Sequence, residues 1–420
     1  MFVRIDNVPR DYAWGSTHGI ADLLGRPATG GPQAELWLGA HPASPSFLVH
    51  PHPEEGEGTL ADLIARDPVG TLGEADATDP SLTMQGSPRL GFLLKVLSAA
   101  APLSIQAHPS SEQARAGFAR ENSLGIPLDA PERNYKDPFH KPELLFAVTP
   151  FDALCGFRAV TASLAVIEKL IITGKSERLP NDELHVLHGL LAEGETDEAA
   201  LRASVGLLLG GGDAADEIVA QATAIARSPQ GLEVEEFDVV RRLADACPGD
   251  PGVMVGVLLN RVALSPGEAL YLPAGNIHAY LRGTGIELMA ASDNVLRGGL
   301  TPKHIDVPEL LRVLDFEPVP APFLKPSHVG AIELFEPDVP DFRLAHVTAD
   351  ASPDPAPSDA SLALAGPAIV LCTAGAASLE GSTTTDRLTR GEIVFVSPDE
   401  GPLRFELDPG STLFVATDNR

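Results

Sequence analysis

The sequence predicts a mainly β protein interrupted by an inserted α-helical domain, with two small β-barrels in tandem. Three observations predict it. Strand-patterned runs with turn chemistry occupy residues 1–157 and 252–320. Between them, residues 158–251 are rich in Ala, Leu and Glu at helical spacing, as in TASLAVIEKLIITG and EAALRASVGLLLGGG. The third region, 321–420, returns to strand-like runs and echoes the 252–320 part: LTRGEIVFVS (388–397) repeats the pattern of LSPGEALYLP (264–273). At that offset of 124, His278 falls on Pro402, so the C-terminal barrel is expected to be degenerate and to pack rather than bind.

The totals narrow the function. A chain of 420 residues exceeds one ordinary core. With 30 basic and 58 acidic residues the net charge is −28, which repels nucleic acid and anionic lipid. Neither is an expected partner, and an anionic substrate needs a local basic pocket. Cys155, Cys247 and Cys372 form no CxxC and no disulfide framework, as suits a reducing compartment. The first residues lack the pattern of a signal peptide, and no run approaches the ~20 apolar residues of a membrane span. The expectation is a cytoplasmic monomer or weak homo-oligomer.

The elements follow in order. AELWLGAHP (34–42) reads as a strand ending in a turn, and GTLADLIARDPVGTLG (58–73) as a helix broken at Pro and Gly. GFLLKVLSA (91–99) is an apolar run in which Lys95 either snorkels, the default, or faces a pocket. In APLSIQAHPS (101–110), strand alternation sets Ser104, Gln106 and His108 on one face, a costly row to bury unless paired or bound. Residues 111–135 read as helix and loop. In KPELLFAV, Lys141 and Glu143 share a strand face, and Pro142 marks an edge or a strand start. The two charges can simply pair, or Glu143 can be a metal ligand with Lys141 beside it. His185 and His188 lie on one helix without a third ligand nearby and read as surface or packing residues. Strands resume at VMVGVLLNRVALS (253–265). Asp306 and Glu309 suggest a capping box, 317–326 a Pro-rich surface linker, and 354–363 a mobile loop.

The stretch from Leu264 to Asp306 reads as strand, turn, strand, turn, strand and polar loop. Period 2 puts His278 and Tyr280 on one face, with Ile277, Ala279 and Leu281 on the other. Glu287 and Met289 likewise oppose Ile286, Leu288 and Ala290. Asp293, Asn294, Arg297 and Lys303 are expected to be exposed beyond the strand ends. Taken together, the strand-borne Gln106, His108, Glu143 and His278 offer two nitrogens and two oxygens, a set suited to a first-row divalent ion, most often zinc. With one anionic ligand the ion keeps a net charge near +1, which favours a Lewis-acid role. Spacing by itself does not join Gln106 to His278.

The runs AELWLGAHP, LLKVLSAAAPLSIQAHPS, KPELLFAVTPFDALCGFR and YLPAGNIHAYLRGTGIELMAASDNVLRGGLTPKHID resemble the type I mannose-6-phosphate isomerase family, cupin-fold zinc enzymes. The likeness runs from DYAWGS (11–16) to about residue 315. It implies cupin-like jelly-roll barrels and one Zn2+ per chain, held by Gln106, His108, Glu143 and His278. It places the family's catalytic arginine on Arg297 and puts Trp14, Lys95, Ser104, Lys141, Tyr280, Glu287, Asp293 and Lys303 around the pocket. The implied reaction interconverts mannose 6-phosphate and fructose 6-phosphate. Moving a proton between carbons beside a carbonyl passes through an enediolate, whose negative charge a fixed cation must meet. The candidate bases are Glu287, Lys141, His140 and a water on the metal, with the acid/base role assigned to Lys141 and Glu287 together. Arg297 suits either the enediolate or phosphate, and Lys303 and Ser104, helped by Lys95, suit phosphate. The alternatives are a non-enzymatic sugar-binding or metal-sensing cupin, and an iron oxygenase. The latter is weakened because the paired motif is Gln-x-His and not His-x-Asp/Glu.

Overall fold

One 13-residue strand, His278–Ala290, carries the architecture. Two strands with a turn between them were the expectation; the chain instead bends without breaking. Gly283 permits the bend, because its φ is +135° and a Cβ there would lie 2.5 Å from the Phe151 ring. Before the bend the strand pairs with Phe151–Phe157, and the register shifts between Tyr280 and Arg282. After the bend it runs between Phe92–Ala99 and Glu143–Ala147.

The computed structural model describes residues 1–49, 58–84, 86–349 and 360–420. Among these, the long strand belongs to a ten-stranded sheet. That sheet also holds Glu35–Leu38, Gln106–Ala107, Leu259–Leu264, Ala269–Leu272, Leu296–Arg297 and Phe323–Leu324. The C-terminal hundred residues supply most of an eight-stranded sheet and a four-stranded one. The first strand, Phe2–Asp6, crosses over to pair with Ile393–Val396 in the eight-stranded sheet. All pairings within the three sheets are antiparallel.

The expected alternation sorts the core. Ile277, Ala279 and Leu281 pack into a cluster with the helical block, alongside Ile105, Leu296 and Leu243. Tyr280 faces the other way, among Phe151, Leu270 and Leu145. Ile286 and Leu288 join Phe395 and Phe414, which seals the ten-stranded sheet against the eight-stranded one. The helices Val160–Glu177, Asp182–Ala192, Asp197–Gly210, Asp213–Ala226 and Asp238–Ala246 form the helical block. It shares its core with the strands that carry His278 and Gln106, so it buttresses them from behind.

Several local expectations change. VMVGV, expected to open a strand, lies in the helix Gly252–Val257, and the strand starts at Leu259. A short, continuous apolar run carries no period that separates the two. The helical run does break at Pro68 and again at Gly73, but the break is brief: Leu60–Arg66 ends at Asp67, which then caps a second helix, Pro68–Leu72. Asp306 caps Val307–Val313 through the Glu309 N–H, but Glu309 itself is drawn to Tyr135, Arg120 and Arg312, so the reciprocal half of the box is missing. The Pro-rich linker is tied down: Phe323–Leu324 pairs with Ala269–Leu270. Of the expected mobile loop, residues 354–359 lie outside the described residues, and Ala360–Leu362 is a strand. The echo holds locally, with left-handed Gly267 and Gly391 turning into Ala269–Leu272 and Ile393–Val396.

Candidate metal centre

Register brings the ligand-type residues together. The two-residue strand Gln106–Ala107 has Gln106 opposite His278 on one side and opposite Arg297 on the other. Glu143 begins its strand opposite Leu272 and Met289. Pro142 therefore marks a strand start, not an edge, and needs no N–H of its own there. The turn before His278 is fastened by the Gly275 N–H, which donates to the His108 carbonyl at 2.9 Å.

The result is a small buried centre. His108 Nε2 lies 3.2 Å from Glu143 Oε1, and His278 Nε2 lies 3.4 Å from Glu143 Oε2. The side-chain amide of Gln106 stands 3.3 Å from His278 Nε2. Ligands about 2.1 Å from a tetrahedral zinc stand about 3.4 Å from one another. Both rings are held from behind: His108 Nδ1 lies 2.7 Å from the Asn294 carbonyl, and His278 Nδ1 lies 3.1 Å from that of Asn276. Each Nδ1 thus donates outward and leaves an Nε2 lone pair aimed inward, as in metal-bound histidines whose other ring nitrogen donates to a carbonyl. His108 Nε2 and Glu143 Oε2 are buried without a hydrogen-bond partner among the described residues. Two converging, unsatisfied acceptors are costly unless a cation joins them. Burial, with Lys141 close by, pushes His108 down to about 4, so its ring is a neutral ligand. Burial opposes the Glu143 charge, but Lys141, His108 and His278 outweigh it and hold this carboxyl well below the usual range. Among the described residues no other cluster of His, Cys, Asp or Glu has this geometry. His188 instead contacts Glu168 at 3.2 Å.

Beside the centre lies a buried charged floor. Lys95 does not snorkel: it is 6% exposed, with Nζ 3.0 Å from Glu287 Oε2 and 3.7 Å from Glu35 Oε1. Lys95 faces inward because register sets it between Glu287 and Trp37, each directly opposite on a neighbouring strand. Burial disfavours its charge, yet the carboxylates keep it protonated. Burial raises Glu287. Burial, reinforced by Glu287 and Glu143, holds the Tyr280 hydroxyl well above its ordinary range. Trp37 Nε1 donates to Glu35 Oε2 at 2.9 Å. Sequence reasoning missed Glu35 and Trp37. The signal was a carboxylate two residues before an indole on a strand otherwise made of leucine.

The remaining candidates divide. Lys141 Nζ sits 3.0 Å from Glu143 Oε1, so the pairing and ligand readings of these residues coexist. Arg297 is half-buried, and its guanidinium has no hydrogen-bond or ion-pair partner among the described residues. Asp293 is exposed as expected, but Asn294 is fully buried and ties the loop to Asp137 and Phe139. Trp14 is half-buried against the cluster containing Tyr280. Ser104 is half-buried and Lys303 exposed, and among the described residues neither side chain makes a hydrogen bond or ion pair to the centre. His140 Nε2 is engaged by Asp341 at 2.8 Å.

This geometry has close parallels. Residues 2–160 match the family model for the catalytic domain of type I phosphomannose isomerase. The chain is 39% identical over 405 residues to the mannose-6-phosphate isomerase of Salmonella typhimurium, spanning 95% of this chain and 96% of that one. It is 31% identical to the human mannose-6-phosphate isomerase, spanning 93% and 92%. The structure superposes on a crystal structure of a point mutant of the Salmonella typhimurium phosphomannose isomerase with a TM-score of 0.86, covering all of both chains at 35% identity. It matches a zinc-bound mannose 6-phosphate isomerase with a TM-score of 0.84, covering 99% of each chain at 36% identity. On its fold, its extent and its sequence, the chain belongs to the type I phosphomannose isomerase family.

Proposed function

We propose that the protein interconverts mannose 6-phosphate and fructose 6-phosphate with one Zn2+ held by Gln106, His108, Glu143 and His278. The observation that carries this reading is the pair of inward, unpartnered atoms, His108 Nε2 and Glu143 Oε2, in a centre whose rings are pinned from behind. A bound divalent ion supplies Lewis-acid stabilisation of developing negative charge on the sugar oxygens. The chain supplies the rest. Arg297, opposite Gln106 and unpaired among the described residues, meets the oxyanion of an enediolate. Glu287, raised by burial, and Lys141 share the proton transfer between the two carbons. His140 is a poorer base, since Asp341 already engages it. Trp14, Tyr280 and Asp293 border the sugar. Lys303 and Ser104, helped by Lys95, take the phosphate.

The reading extends to architecture. We assign residues 1–157 and 252–320 to a catalytic cupin-like domain, 158–251 to an inserted helical domain, and 321–420 to a degenerate cupin-like domain. The matching turn-and-strand units at Gly267 and Gly391 support two related barrels. A coupled assay on purified, zinc-loaded protein tests the function. Turnover of mannose 6-phosphate to fructose 6-phosphate is expected, and a sugar-binding protein without turnover is the contrary result. His278→Ala is expected to lose metal and activity together, and retained stoichiometric zinc would refute the ligand set.

A further inference from the structure

His41 lies in the turn after the strand Glu35–Leu38, and sequence reasoning gave it no role. It is buried, 6% exposed. Its ring packs edge-on against Trp37, with centroids 4.9 Å apart at 88°. The Ala43 N–H donates to His41 Nδ1 at 3.2 Å. That nitrogen is therefore an acceptor, and the neutral ring carries its proton on Nε2. Nε2 faces Asp293 Oδ1 at 3.4 Å.

Asp293 is otherwise held only by its backbone. Its N–H donates to Asp137 Oδ2 at 2.9 Å, while the flanking Ser292 hydroxyl donates to Asp137 Oδ1 at 2.8 Å. The next residue, Asn294, donates to the Asp137 carbonyl at 2.8 Å and accepts from the His108 ring through its own carbonyl. One set of contacts fixes the loop backbone, and a different residue steers the carboxylate. Among the described residues, the Asp293 side chain has no other ion-pair or hydrogen-bond partner. Its carboxylate is about half exposed, free to accept from a ligand.

We propose that His41 is a positioning residue: as an Nε2–H donor clamped by Ala43 and Trp37, it aims the Asp293 carboxylate at a hydroxyl of the bound sugar. The inference rests on the isomerase reading, because it takes Asp293 as a substrate contact. A carboxylate oriented before binding loses less freedom when it accepts a hydroxyl. A contact made equally in the ground and transition states acts on KM more than on kcat.

Steady-state kinetics on four proteins test it: His41→Phe, His41→Gln, Asp293→Ala and the double variant His41→Phe/Asp293→Ala. Phe keeps the packing on Trp37 and removes the donor, whereas Gln keeps a donor. The expected result is a KM for mannose 6-phosphate raised about tenfold in His41→Phe, with kcat lowered less than threefold. Gln should restore most of the loss. In the Asp293→Ala background, His41→Phe should add less than twofold. If His41→Phe lowers kcat and KM behaviour equally in both backgrounds, the residue acts structurally and the inference falls. A His41→Phe variant with unchanged KM overturns it too. Failure of the isomerase reading looks different: wild type itself would not turn over.

Discussion

Arg297 stands half-buried, opposite Gln106, with no ion-pair or hydrogen-bond partner among the described residues. On the proposed function, a cation without such a partner beside the cluster meets the charge that appears only during reaction. Arg297→Ala should therefore lose about 2.7–4 kcal/mol of transition-state stabilisation, the effect of removing one oxyanion donor. Measured kcat checks this, and a drop of less than tenfold would remove the role. Residues differed in how legible they were. Gln106, His108, Glu143 and His278 stood out because each puts a ligand-type side chain into an apolar, strand-patterned context. Lys95 misled, because the snorkelling default holds for a lysine with water within reach, and here Glu35 and Glu287 are within reach instead. Glu35 and His41 were silent because their roles depend on Lys95 and Asp293, far away in the chain.

The bent strand is the element on which the site depends. Its first residues present His278 and Tyr280, its later ones Glu287, and Gly283 sets the angle between them. At Gly283 any side chain meets both an unfavourable φ and the Phe151 ring. Gly283→Ala should destabilise the fold by about 1–3 kcal/mol, read as a lower midpoint of thermal or denaturant unfolding. An unchanged midpoint would mean that the bend is not set by this residue. Alternation along the strand was legible, since apolar and polar residues sort cleanly by face. The absence of a break was not: Arg282–Gly285 has turn composition, and the continuity comes from two neighbouring strands that hold the register across it. The helix Gly252–Val257 was missed for a related reason, because an entirely buried apolar run has no outer face to reveal its period.

At the scale of the whole molecule, the C-terminus is tied to the N-terminal region by a group with an unusual charge state. Asp418 is 2% exposed, and burial, with Asp76 beside it, pushes its carboxyl up to about 9. In the unfolded chain such a group titrates near 3.9. Between about pH 4 and about pH 9 the folded state binds more protons than the unfolded one, so this residue's contribution to stability falls as pH rises. Asp418→Asn removes that loss and should raise the melting temperature more at about pH 8 than at about pH 5. Equal gains at both would contradict the shift. The helical block was legible, because composition changes abruptly where it begins. What sequence did not disclose was the shared core: the block and the metal-bearing strands pack as one cluster, and Phe2–Asp6 crosses into the C-terminal sheet. Both are contacts between distant segments that no local pattern records. All of this scaffolding brings His108, Glu143 and His278, with Gln106 beside them, into one buried cluster, the proposed zinc site. The most direct test is to strip the protein with a chelator and titrate zinc back while following isomerisation of mannose 6-phosphate. Activity should vanish on stripping and climb linearly to a plateau at one zinc per chain. Full turnover in the stripped protein, or a plateau at another stoichiometry, would contradict the account.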